Sequence, residues 1–144
     1  MKARIHGLAG LLAMLTIATF WLSTLVAELF LSVATITWVK QAIVWGLFVL
    51  IPLLMITGGS GFVLGRNSSY PVIARKRRRM PFIALNGMLL LAPAAIYLSW
   101  KAQSGAFDGW FYGVQVLELL AGATNLLLMG LNARDDVRLR KSTY

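Results

Sequence analysis

The chain has 144 residues, of which 58% are hydrophobic and only 13% charged, with a net charge of +9 and no cysteine. A soluble domain carries about 25% charged residues, so too little polar surface is available to clothe a water-soluble body of this size. Without cysteine, disulfides, thiolate metal sites, iron–sulfur clusters and CxxCH-attached haem are excluded. The positive surplus reads as a topology signal and an attraction to anionic lipid rather than to nucleic acid.

A bilayer core takes about 20 apolar residues as helix. The first such stretch runs from about 7 to 31, with Glu28 near its far end. It is too long for a signal-peptide core and has no convincing small-x-small cleavage site, so a retained helix is expected. The second runs from about 41 to 64 and contains Pro52; the third, about 81 to 100, contains Pro93. Each proline removes a backbone donor and is expected to bend its helix. The fourth runs from about 110 to 131. The fold class predicted is an all-α integral membrane protein, a four-transmembrane-helix bundle with short outer loops, forming a single domain over 1–144.

Lys and Arg orient it. Lys2 and Arg4 precede the first stretch, Arg66 and the run from Arg75 to Arg79 fill the connection 66–80, and Arg134, Arg138, Arg140 and Lys141 lie in the tail 132–144. Twelve of the 14 basic residues thus fall on one side, leaving Lys40 and Lys101 on the other. The positive-inside rule makes the crowded side cytoplasmic, with both termini inside a bacterial-type inner membrane. Trp38, Trp100 and Trp110 mark the opposite interface. The connection 66–80 is expected to be irregular, broken by Asn67, Ser68, Ser69 and Pro71, with its basic run against lipid phosphates or an acidic protein surface. Short similarities around His6-Gly7 and Asn86-Gly87 hint at a duplication of two-helix units.

Polar groups within apolar stretches are costly, which makes them candidate functional residues. Glu118 lies about 12 Å from the outer edge at 1.5 Å per residue, with Gln115 one turn above and Thr19 of the first helix near its level. Without a partner such a carboxyl is expected to be protonated, serving either as interhelical packing glue or as the coupling group of a small proton-coupled transporter. A second group, Gly58, Gly59, Ser60, Asn86 and Asn125, falls at similar depth near the basic side. It is expected to form one polar layer, and its glycines would admit a helix or a flat ligand against the backbone. Gly61/Gly65 and Gly109/Gly113 form GxxxG pairs.

His6 is the only histidine. It could bind a b-type haem axially, with Met88 or Met55, or a second copy's histidine, as the other ligand. Phosphate loops, zinc motifs, nucleophile elbows and acid pairs are missing, so enzyme chemistry by protein groups alone is not expected. The leading expectation is a membrane binding or accessory protein with one inter-helix site, acting in a homo-oligomer or membrane complex. The haem-binding and transporter readings are its alternatives.

Overall fold

The computed structural model describes residues Met1 to Ser142. Helix α1 spans Lys2–Phe30 and α2 spans Val33–Gly65. A third rod, Pro71–Gln103, consists of α3 (Pro71–Leu85), a π-helical stretch (Asn86–Leu91) and α4 (Ala92–Gln103). The fourth is α5, Gly109–Ser142. All four rods are long and apolar enough to cross a membrane, compatible with a multi-pass membrane protein.

Each rod starts or ends beyond the stretch read from hydropathy, and in α2, α3 and α5 caps, a first-position proline and ion pairs account for the extension. Helix α2 begins at Val33 instead of about 41, since Ser32 Oγ accepts from the Thr35 amide at 3.3 Å and caps it. The connection 66–80 is irregular only over 66–70. Pro71, expected to break structure, instead opens α3 at its first position, where a fixed φ and a missing N–H cost nothing. The basic run then continues as helix, Arg and Lys being good helix formers. The tail is helical too: α5 runs on through Ser142, held by Lys76–Asp136 at 2.6 Å and Arg79–Asp135 at 2.9 Å. Only 143–144 of that tail lie outside the described residues.

The link between α4 and α5 closes on a positive-φ glycine. Gly105 (φ 69°) donates to the Ala102 carbonyl, and the Ala106 amide returns to Lys101 O at 3.0 Å, the pattern that terminates many helices. Asp108 then caps α5 by accepting from Phe111 N at 3.0 Å and ties it to α4 through Lys101 Nζ at 2.6 Å.

Consecutive rods run antiparallel, and the packing is cyclic. Helix α1 lies between α2 and α5, and the third rod also lies between α2 and α5. The diagonal partners, α2 with α5 and α1 with the third rod, nowhere bring Cα atoms within 8 Å among the described residues. One half of the core holds Ala27, Ile36, Ile43, Ala95, Leu98 and Phe111; the other holds Ala13, Ile17, Leu50, Ile83 and Met129. The outward faces carry exposed Trp45, Phe48 and Leu120, a surface suited to hydrocarbon rather than water. The 12 basic residues named above gather at one end, hereafter the basic end; the α1–α2 and α4–α5 links form the far end.

Candidate functional site

The far half of the bundle contains a buried cluster of charges. Lys40, about two turns into α2, is 1% exposed. Its Nζ lies 3.1 Å from Glu118 Oε2 and 3.5 Å from Thr24 Oγ1. The pair crosses the diagonal: α2 and α5 do not touch through backbone, and a long lysine stem bridges the gap. Gln115 Nε2 donates to the same Glu118 oxygen at 3.0 Å. Glu28, near the end of α1, lies within electrostatic range of both Lys40 and Glu118. Glu28 Oε1 and Gln115 Oε1 are buried without hydrogen-bond partners.

Among the described residues Lys40 forms an ion pair with Glu118, and Glu28 is a second, half-buried carboxyl nearby. Charge burial of this kind is tolerated only where it is paired. Beside the cluster, Thr24 and Glu118 face a small cavity of about 50 Å³, otherwise walled by Ile43, Leu91, Trp21 and Gly122 among others.

These findings correct the expectations for Glu118. Gln115 is its neighbour as anticipated, but Thr19 is not: its hydroxyl returns to Leu15 O at 2.8 Å and the residue is exposed. Thr24 occupies that role. Lys40, assigned to the outer interface, is the ion-pair partner. Starting α2 at 41 hid it; the Ser32-x-x-Thr35 cap was the signal that places Lys40 inside a helix. Glu28 was noted only for its position.

The expected polar layer divides in two. Asn86 Nδ2 donates to Asn125 Oδ1 at 2.8 Å and to Ala121 O at 2.8 Å, while Asn125 Nδ2 donates to Ile83 O at 3.3 Å. Gly87 lies beside the pair in the π-helical turn ahead of Pro93, where a Cβ would make only ordinary contact, 3.7 Å from Asn125 Nδ2. Such wide turns take up the register lost at proline. Ser60 is elsewhere, its Oγ 3.1 Å from His6 Nδ1. Gly58 and Gly59 are exposed, and a Cβ at either would meet nothing within 4 Å, so neither seats a helix. Gly61 does that work, since a Cβ there would come within 2.9 Å of His6 Cε1. Gly109 and Gly113 face open space.

At the basic end, His6 borders a cavity of about 140 Å³ bounded by all four rods. Met14, Met80 and Met129 line it, whereas Met88 and Met55, considered as haem ligands, are 51% and 71% exposed and do not. Of the basic run, Lys76 and Arg79 pair with Asp136 and Asp135, and Arg77 Nη2 donates to Gly65 O at 2.8 Å, closing the end of α2. Arg75 and Arg78 make no ion pair among the described residues. No group of three metal-ligating His, Cys, Asp or Glu side chains occurs among the described residues. A scan against protein-family models, a search of curated proteins and a search of solved structures return no match.

Proposed function

We propose that this chain is a small proton-coupled transporter of a bacterial-type inner membrane, with both termini cytoplasmic, and that Glu28, Lys40 and Glu118 are its proton-exchanging site. The observation that carries this reading is the Lys40–Glu118 pair at 3.1 Å with a second acid beside it. Ionisable groups within apolar helices are expensive to keep and mark ion or proton pathways. The pair joins two helices whose Cα atoms nowhere come within 8 Å of each other among the described residues. A change in its charge state would act on the separation of α2 and α5, which is the coupling that alternating access needs. The binding or accessory reading loses ground for a specific reason: its polar layer, Asn86 with Asn125, is closed on itself. Within the run 75–79, Arg75 and Arg78 are the side chains left for anionic headgroups, and the chain acts as a homo-oligomer or within a larger membrane complex.

The test is proton flux into liposomes containing the purified protein, driven by a potassium diffusion potential and read by an interior pH dye. Wild-type protein is expected to acidify the lumen faster than empty vesicles, and Glu118→Gln to return the rate to that of empty vesicles. Equal rates for wild type and empty vesicles would remove the proton reading. Equal rates for wild type and Glu118→Gln would remove the cluster from it.

A further inference from the structure

We propose that the basic-end cavity binds a para-dioxygenated aromatic ring carried in lipid, a quinol or quinone head group, held between His6 and Asn132. The argument begins with the imidazole. His6 Nδ1 lies 3.1 Å from Thr57 O, an atom that can only accept, so in the neutral ring Nδ1 bears the hydrogen. Ser60 does not contest this assignment, because its hydroxyl donates to Ile56 O at 2.5 Å and its oxygen is left to accept. His6 Nε2 is then a bare lone pair, and it has no partner among the described residues.

Across the cavity, on α5, Asn132 Oδ1 accepts from Arg79 Nη1 at 3.3 Å. That bond fixes the amide so that its NH₂ group is left with only the Met80 sulfur, at 3.8 Å, a weak acceptor. The cavity thus offers an unfilled acceptor on one helix and an underused donor on the neighbouring one. Between them the walls are mainly apolar, with Leu11, Met14, Leu54 and Met129, and the two charged side chains at the lining, Lys76 and Asp136, are paired with each other at 2.6 Å.

Size and access narrow the occupant. An apolar cavity of roughly 150 Å³ holds one benzene ring, and this one is about 140 Å³. A single ring with an oxygen at each end satisfies both groups. Its hydroxyl donates to His6 Nε2, and the opposite oxygen accepts from Asn132 Nδ2. Leu11 and Gly58 line the cavity yet are also exposed on the outer surface, so the space reaches the apolar face through which a tailed ring arrives. Because a neutral Nε2 accepts but does not donate, the reduced ring is preferred over the oxidised one. This proposal does not depend on the proton reading.

Binding is measured calorimetrically on detergent-solubilised full-length protein with three ligands of equal tail: 2-decyl-1,4-benzenediol, 2-decyl-1,4-benzoquinone and decylbenzene. Saturable binding in that order of strength is expected. His6→Phe and Asn132→Leu should each weaken the benzenediol about 10-fold, the scale of 1.4 kcal/mol, with helicity and monodispersity unchanged. Decylbenzene binding as tightly as the benzenediol, absence of benzenediol binding, or an unchanged affinity in folded His6→Phe would each overturn the proposal. Should both variants misfold, the ranking of the three ligands on wild-type protein still decides.

Discussion

Two buried polar groups sit on the same bundle and are resolved in opposite ways. The Asn86–Asn125 pair is neutral and reciprocal, each amide finding an acceptor on a neighbouring rod. The Glu28–Lys40–Glu118 cluster is charged and incomplete, leaving Glu28 Oε1, and Oε1 of the adjoining Gln115, buried and unmatched. Neutral amides between apolar helices act as glue of modest strength. A charge left short of partners is costly to retain. A bundle that needed only cohesion would repeat the asparagine solution, so the incomplete cluster is where function is sought.

The sharpest way to break that contrast is to remove one partner of the ion pair. Lys40→Met should destabilise the protein by about 3–5 kcal/mol, because Glu118 is left buried without its counter-charge, whereas Lys40→Met with Glu118→Leu should recover most of the loss. Unfolding followed by circular dichroism in mixed micelles measures both. Equal instability in the single and double variants would show that the charges do not hold the pair of helices. Next in size, Glu28→Gln should lower proton flux in vesicles by roughly 100-fold, the scale of losing a proton-transfer group, with little change in stability. A large loss of stability with flux retained would make Glu28 a packing residue.

The asparagine pair should respond the other way. Asn125→Leu is expected to cost about 1 kcal/mol in the same unfolding measurement, with proton flux near that of wild type. Loss of flux would make the two sites one system. The smallest effect concerns the exposed link between α4 and α5. Hydrogen bonds from Lys101 and from the Phe111 amide hold the Asp108 carboxyl below its ordinary value of 3.8. Its contribution is therefore present above that ordinary value and disappears as pH falls through the lowered one. Amide exchange at Phe111 should accelerate over that acidic range, and Asp108→Asn should flatten the dependence.

Much of the architecture is legible in the residue order. Four apolar stretches, the collection of basic residues at one end and Gln115 one turn from Glu118 follow from spacing alone. The helix ends are misjudged where chemistry overrides hydropathy: Ser32 starts α2 early, Pro71 opens a helix instead of breaking one, and Asp135 and Asp136 carry α5 onward by pairing with α3. Lys40 is assigned to an interface for the same reason. An eight-residue error at the start of α2, 41 against 33, is enough to turn a buried cation into an interfacial one.

Linear order settles which segments are long and apolar enough to cross a membrane, since that depends on side-chain transfer energies summed along one helix. It also settles which ends share a side, because four antiparallel rods leave no choice. Pairing across a diagonal is different. Whether Lys40 meets Glu118, or Asn86 meets Asn125 instead of Ser60, depends on rod rotation and on the π-helical turn before Pro93, both set by packing between segments distant in the chain. Contacts of that kind are a property of the assembled bundle, and only its tertiary structure decides them.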